Sequence, residues 1–197
     1  MISIGFGGPR KAVFAALATA ALLGAAGCGG TPQDANEPKG TYAVEITEAS
    51  FPRLQSLGQT TSLRVTVRNA GSQTVPNVSL TVDGLSDLEA QPESMDPSRP
   101  IWVVDVGPVG GKTAYVNTWA LGPLRSGDER TFTFVLTAVR SGAHIVRYRA
   151  GAGLDGNAIA RTPADEIPEG SFTVRVMHRA RSSSVNPRTG AVVESQP

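Results

Sequence analysis

Residues 107–113, with the sequence GPVGGKT, combine glycines with a lysine and a threonine, residue types that together can bind phosphate. A phosphate-binding P-loop needs a glycine, four further residues and then Gly-Lys-Thr, and a helix must follow. Here Val106 stands where the first glycine is required, and the sequence after Thr113 has strand character. The spacing and the context both fail, so we interpret the segment as a flexible hairpin loop.

Histidine and methionine side chains are the candidates for metal binding. His144 and His178 are far apart in sequence, and Met177 beside His178 resembles a soft ligand pair for copper. No second Met-His pair accompanies it, and we interpret it as an exposed strand end. The sequence also lacks the Gly-x-Ser-x-Gly elbow and the Ser-x-x-Lys motif of common nucleophilic enzymes. We therefore expect no metal, no cofactor and no enzymatic activity.

An apolar segment at the N-terminus precedes the only cysteine, Cys28. Residues 12–27 carry no charge and follow Arg10 and Lys11. Sixteen residues are fewer than the roughly 20 that span a bilayer, and the pattern is typical of a secretory signal. The small residues directly before Cys28 resemble the lipobox of bacterial lipoproteins, although Ala25 stands where that family prefers leucine. The resemblance implies that Cys28 is acylated and becomes the new N-terminus.

Two alternatives remain for this region: Cys28 is a small buried residue, or ordinary signal peptidase cuts the chain. The polar, Gly- and Pro-rich sequence after Cys28 offers no core, and acylation would remove an unpaired thiol from an oxidising compartment. We predict a signal peptide over residues 1–27 and a flexible tether over residues 28–40. The expected location is the cell membrane or cell surface, with the chain lipid-anchored.

The composition limits the partners that the protein can have. Of the 197 residues, 40% are apolar, which is enough for a core, and 18% are charged. The net charge is +1, and removal of Arg10 and Lys11 leaves 18 − 2 = 16 basic residues against 17 acidic ones. A nearly neutral mature chain has no electrostatic attraction for nucleic acid, so we expect no nucleic-acid partner.

Three aromatic side chains form the candidate binding surface. Trp102, Tyr115 and Trp119 lie in sequence on both sides of the Gly-rich loop. Tyrosine and tryptophan are favoured at binding surfaces because each gives rigid, amphipathic contact area. The alternative is that both tryptophans belong to the core.

Alternating apolar and polar residues predict the elements that position these side chains. Residues 63–82 are interpreted as two amphipathic strands joined by a turn, and such a pair needs a second apolar layer to cover it. No stretch of ten residues in the mature chain keeps helical periodicity. The predicted fold is an all-β, immunoglobulin-like antiparallel β-sandwich of about seven to nine strands over residues 41–178, followed by a disordered tail over 179–197. The other predicted strands are 41–50, 101–106 (of a buried type), 114–121, 130–138, 143–150, 158–161 and 171–177. Residues 53–61 are predicted to be a connection, and residues 154–157 a hairpin-type turn. Strands that carry Phe132, Phe134 and Val146 are expected to cover the first pair, while Arg147 and Arg149 are expected to share a solvated face.

Three motifs resemble bacterial immunoglobulin-like domains of the CARDB (cell-adhesion-related) type. They are the sequence VRNAG at residues 67–71, VPNVSL at 75–80, and the turn and strand GDERTF at 127–132. The resemblance covers roughly residues 60–178, and residues 83–115 depart from it. It implies a β-sandwich that serves as a spacer, an adhesin or an assembly module. Fold analogy alone does not choose between these roles.

We therefore expect a non-catalytic envelope lipoprotein whose β-sandwich is a binding or interaction module for adhesion, scaffolding or an envelope complex. The expected partners are the membrane, through the lipid on Cys28, and an envelope protein or polysaccharide. The alternative function is a carrier that presents a small ligand or metal to a membrane complex. A carrier would need a concave pocket with converging polar groups.

Overall fold

The computed structural model describes residues 35–85, 100–115, 117–179 and 183–194. These residues contain strands and no helix. The strands are β1 (Gly40–Ser50), β2 (Leu54–Ser56), β3 (Thr60–Asn69), β4 (Ser79–Val82), β5 (Trp102–Val106), β6 (Lys112–Tyr115), β7 (Thr118–Ala120), β8 (Glu129–Ala138), β9 (Gly142–Gly151), β10 (Ala158–Arg161), β11 (Glu169–Met177), β12 (Ser183–Val185) and β13 (Val192–Glu194).

Two sheets contain all but the last two strands. The first has the order β10-β1-β3-β8-β5, and the second has the order β2-β11-β9-β4-β7-β6. Neighbouring strands are antiparallel except at one edge of each sheet, where β10 lies parallel to β1 and β2 lies parallel to β11. The sheets are therefore mixed, whereas a purely antiparallel sandwich was predicted; the all-β sandwich itself is confirmed.

The core lies between the two sheets and follows the alternation of the strands. On β8, Phe132, Phe134 and Leu136 are fully buried while the residues between them are more exposed. The second sheet faces them with Val146 and Trp119, whose ring meets the ring of Phe134 edge-on at 4.8 Å between centroids. Such edge-to-face pairs add to the free energy gained from burying apolar area.

The interpretation of residues 63–82 as a strand pair is wrong. β3 pairs with β1 and β8 in the first sheet, whereas β4 pairs with β7 and β9 in the second. The two strands are amphipathic as predicted, and each contributes its apolar face to the same core from opposite sides. β4 therefore supplies part of the apolar layer that covers β3.

The connection between β3 and β4 is a corner organised by a buried asparagine. The side-chain nitrogen of Asn69 donates hydrogen bonds to the carbonyls of Gln73 and Leu124, at 2.7 and 2.9 Å. Its side-chain oxygen accepts a hydrogen bond from the Gly71 N–H at 3.0 Å. Asn69 is 1% exposed, so these bonds replace water for a polar group that the core has enclosed. The sequence VRNAG is therefore the motif of a sheet-crossing corner.

The Gly-rich loop also crosses between sheets, so the hairpin predicted for residues 107–113 is wrong. β5 before it pairs with β8, and β6 after it pairs with β7. β5 itself is an edge strand in which Val103 and Val106 are exposed, so the prediction of a buried-type strand is wrong. The single strand predicted for residues 114–121 is instead a tight β6–β7 hairpin, with Asn117 at a positive φ of 60° in the turn.

Other differences concern short elements near the chain's ends. Residues 53–61 were predicted to be a connection and contain β2 and the start of β3. Leu154–Asn157 lies between β9 and β10, which belong to different sheets, so it is not the predicted hairpin turn. Within the tail predicted to be disordered, the described residues 183–194 form the β12–β13 hairpin.

Candidate functional site

The predicted aromatic surface of Trp102, Tyr115 and Trp119 is not formed. Trp102 is fully buried and Trp119 is 7% exposed, so both tryptophans belong to the core, as the alternative interpretation held. The indole N–H of Trp102 donates a hydrogen bond to the side-chain oxygen of Gln55 at 2.8 Å. Because this partner satisfies its only polar group, Trp102 can be enclosed without an unpaired donor. Of the three side chains only Tyr115 is exposed, at 53%.

Tyr115 begins a row of side chains that crosses the outer face of the second sheet. Its register partner on β7 is Thr118, which pairs with Thr81 on β4. Thr81 is opposite Arg149 on β9, and Arg149 is opposite Glu169 on β11. Residues paired in register project from the same face of a sheet. We call these five residues the cross-strand row; its four steps of about 4.8 Å give it a length of roughly 19 Å.

Contacts between neighbours hold parts of the cross-strand row together. The hydroxyls of Thr81 and Thr118 lie 2.9 Å apart and share a hydrogen bond. The guanidinium of Arg149 forms an ion pair with Glu169, with Nε and Oε2 3.6 Å apart. Both partners of this ion pair are more than half exposed, so it orients the side chains more than it stabilises the fold.

Two hollows lie along the row and meet at Thr81 and Arg149. The larger has a volume of about 320 Å³ and is also lined by Asp83, Arg147 and Ser171. The smaller, of about 170 Å³, extends toward Tyr115 and Thr118. Ligand-binding clefts typically measure about 300–1,000 Å³, so the larger hollow alone reaches that range.

The electrostatics of the row are balanced. Arg147 and Arg149 project from β9, which places two positive charges in the larger hollow. Asp83 and Glu169 line the same hollow from the neighbouring strands, so two negative charges offset them. Behind this face Tyr148 stacks on Phe172, with ring centroids 5.0 Å apart. Burial raises the pKa of Tyr148 above its ordinary value, so the phenol, which is already neutral at physiological pH, becomes still harder to ionise.

A second cleft lies at the end of the sandwich where β1 begins. It has a volume of about 450 Å³, and its walls come from the segment before β1, the β3–β4 corner, the Gly-rich loop and the end of β7. The lining residues include Glu37, Pro76, Asn77, Lys112 and Leu121. The presence of Glu37 in this wall shows that the last residues of the predicted tether are part of the folded domain.

Glu37 is fixed by a loop of the second half of the chain. Its carboxylate accepts hydrogen bonds from the backbone N–H groups of Leu154, Asp155 and Ala158, at 2.5, 2.9 and 2.6 Å. Partial burial raises the pKa of Glu37, but the backbone donors outweigh it and hold the pKa below its usual value. Glu37, which was predicted to lie in a flexible tether over residues 28–40, therefore belongs to the folded domain.

The histidines considered for metal chemistry have other partners. The His144 ring contacts Trp102 edge-on at 5.8 Å between centroids, and its Nε2 lies 3.2 Å from the Arg140 carbonyl. His178 Nδ1 lies 3.4 Å from the Ser141 hydroxyl. Among the described residues no three His, Cys, Asp or Glu side chains are grouped so that they could hold a metal ion. Cys28 and the predicted signal peptide lie outside the described residues.

No membrane-spanning helix occurs in residues 35–85, 100–115, 117–179 or 183–194, since none is long and apolar enough. No protein-family model and no curated protein sequence matches the chain.

Solved structures do resemble the fold. A crystal structure from Pyrococcus furiosus, of the PF1109 protein in complex with di-metal ions, has a TM-score of 0.41 and 17% identity, over 70% of this chain and 93% of that one. An NMR structure of the same protein gives a TM-score of 0.42 and 17% identity, over 70% and 94%. Both are CARDB domains. This is the domain type that the three sequence motifs resemble.

A further structure that resembles the chain belongs to a much larger protein. Native alpha-2-macroglobulin from Escherichia coli, from domain MG7 to the C-terminus, has a TM-score of 0.41 and 14% identity, over 76% of this chain and 21% of that one. At such identities and TM-scores a likeness says nothing about what this chain binds.

Some members of the cross-strand row could be predicted from the sequence, but their alignment across neighbouring strands could not. Tyr115 was predicted as a surface residue, and Arg147 and Arg149 were predicted to share a solvated face, as they do. Thr81, Thr118 and Glu169 gave no signal of their own. The alternation of each strand shows which residues point outward, but only the strand order and register bring these distant residues into one line.

Proposed function

We propose that the protein is a cell-envelope binding module whose ligand lies along the cross-strand row. The observation that supports this most directly is the continuous row itself, from Tyr115 on β6 to Glu169 on β11, with two hollows along it that meet at Thr81 and Arg149. An aromatic ring, two hydroxyls, a guanidinium and a carboxylate in one row offer donors, acceptors and a stacking surface. A rigid five-strand platform holds them in a fixed order.

In this proposal Cys28 carries the lipid that keeps the module at a membrane. The sequence supports it through the basic start, the short apolar segment and the small residues before Cys28. Hydrogen bonds from the Leu154 and Ala158 N–H groups fix Glu37 to the loop before β10, so the anchored chain would join the folded domain by residue 37.

A photo-crosslinking amino acid placed at Tyr115 in the full-length chain tests the binding role on intact cells. Position 115 should give a specific crosslinked product. The matched control is Ser62, an exposed position on the outer face of the first sheet, which should give none. Equal products from both positions, or no product from position 115, would rule out the proposed role of the row.

The anchor is tested separately with a Cys28→Ser variant. We expect the native protein to partition into the detergent phase and to carry fatty acid, and the variant to lose both properties. A variant that stays equally membrane-bound would show that the anchor is elsewhere. Because this experiment does not depend on the ligand, its failure leaves the binding role of the row to be judged by crosslinking alone.

A further inference from the structure

We propose that the ligand of the cross-strand row is a neutral saccharide chain. The inference rests on the proposed binding role of the row and goes beyond it by naming the chemical class of the ligand. Three properties of the described residues carry it: the charge balance of the groove, the kinds of polar group it presents, and its small apolar content.

The charge balance argues against an anionic polymer. Arg147 and Arg149 are offset in the same hollow by Asp83 and Glu169. A groove that binds nucleic acid or a polyanionic chain presents an excess of positive charge along its whole length. Here one guanidinium is already paired with a carboxylate, at 3.6 Å between Arg149 Nε and Glu169 Oε2. A neutral ligand avoids both the repulsion from the carboxylates and the loss of this pair.

The polar groups suit a ligand rich in hydroxyls. A hydroxyl donates and accepts, so it can bridge a guanidinium donor and a carboxylate acceptor that lie side by side, as in the pair Arg149–Glu169. The paired hydroxyls of Thr81 and Thr118 add groups that donate or accept as required. At the other end Tyr115 presents an exposed aromatic ring, whose face can pack against the C–H groups of a sugar ring.

The dimensions suit a short extended chain better than a protein surface. The row is roughly 19 Å long, and its hollows of about 320 and 170 Å³ lie in sequence along it. Protein–protein interfaces have a central area depleted in charge and enriched in aromatic and apolar side chains. Within the row Tyr115 is the one large aromatic side chain, and four charged residues line the larger hollow.

The test uses the full-length chain in detergent micelles with neutral gluco-, galacto- and chito-oligosaccharides and, as the acidic comparison, oligogalacturonate. Calorimetric titration should show binding of at least one neutral oligosaccharide. Binding should weaken about tenfold in Arg149→Ala and in Tyr115→Ala, or by about 1.4 kcal/mol, since each variant loses a contact with the ligand. Arg64→Ala is the matched control because Arg64 is an exposed arginine on the outer face of the first sheet, and its affinity should equal that of the native protein.

Salt dependence separates the neutral ligand from an anionic one. Binding of a neutral saccharide should change less than about twofold between 50 and 200 mM salt, because few counterions are released. Preference for oligogalacturonate with a steep salt dependence, equal losses in Arg149→Ala and Arg64→Ala, or no binding of any neutral oligosaccharide would overturn the proposal. A protein captured at position 115 on cells would keep the binding role of the row and overturn the saccharide, whereas no product at that position would remove both.

Discussion

The carboxylate of Glu37 accepts a hydrogen bond from the backbone N–H of Ala158, 121 residues later in the chain, at 2.6 Å. Leu154 and Asp155 donate to the same carboxylate. Converging backbone N–H groups form an anion-binding nest, and here the nest is filled by a residue of the protein's own N-terminal segment. This contact fixes the chain just before β1 and completes one wall of the cleft at that end of the sandwich.

A Glu37→Gln variant should release this segment. Glutamine has nearly the same shape, but it loses the charge, and its amide nitrogen would face backbone donors. We expect the amides of Leu154, Asp155 and Ala158 to exchange with deuterium faster in the variant, by about tenfold or more, since hydrogen bonds to a charged acceptor contribute roughly 1.5–3 kcal/mol. Hydrogen exchange followed by mass spectrometry measures this. A Glu48→Gln variant, which removes an exposed carboxylate from β1, should leave these amides unchanged.

The same contact predicts a dependence on pH. The folded pKa of Glu37 is lowered, so the native state favours the ionised form relative to the unfolded chain. Its stabilisation is present above the ordinary glutamate pKa of about 4.3 and is lost as the pH falls through the lowered folded pKa. Exchange at the three amides should therefore rise on acidification below about pH 4, after correction for intrinsic rates. Glu37→Gln should lack this step, and a step of equal size in both proteins would contradict the prediction.

The buried pair of Trp102 and Gln55 makes a prediction about the core. Gln55→Leu removes the acceptor of the indole N–H and should destabilise the fold by about 1–3 kcal/mol, because a buried donor is left unpaired. The double variant Gln55→Leu, Trp102→Phe removes both polar groups. Its loss in the free energy of unfolding should therefore be smaller than the sum of the losses in the two single variants. Urea unfolding of the four proteins in a double-mutant cycle gives the coupling energy. Strictly additive losses would show that the hydrogen bond contributes nothing.

This pair also shows what the sequence could and could not reveal. Alternation on β8 and β9 correctly placed Phe132, Phe134 and Val146 inside, because a two-residue period is a local property of a strand. The burial of Trp102 depended on Gln55, a polar residue in a segment predicted to be a connection. A partner 47 residues away is not encoded in local periodicity.

The order of strands in the two sheets was the other feature that the sequence could not predict. Sequence reasoning joined β3 and β4 as a pair because they are consecutive and similarly patterned, but a sandwich allows consecutive strands to lie in opposite sheets. The cross-strand row could not be predicted for the same reason. Tyr115 and Glu169 are far apart in sequence, and four successive registers are needed to place them in one line.

Asn69 offers a test of the corner that sends the chain from one sheet to the other. Asn69→Ala removes the hydrogen bonds to the carbonyls of Gln73 and Leu124 and the one accepted from Gly71, in a position that is 1% exposed. We expect a loss of roughly 2–4 kcal/mol in the free energy of unfolding, measured in urea, since each buried group left unpaired costs about 1–3 kcal/mol.

The matched control at this corner is Asn69→Asp. The carboxylate keeps the acceptor for the Gly71 N–H but places its second oxygen against the carbonyls of Gln73 and Leu124. It should therefore be less stable than Asn69→Ala at pH 7, because an ionised group is buried against acceptors, and it should recover relative to alanine at acid pH, where the protonated carboxyl can donate. A variant Asn69→Asp that is as stable as the native protein at pH 7 would mean that the two carbonyls do not need the asparagine donor, and that the glycine turn alone directs the chain across the sandwich.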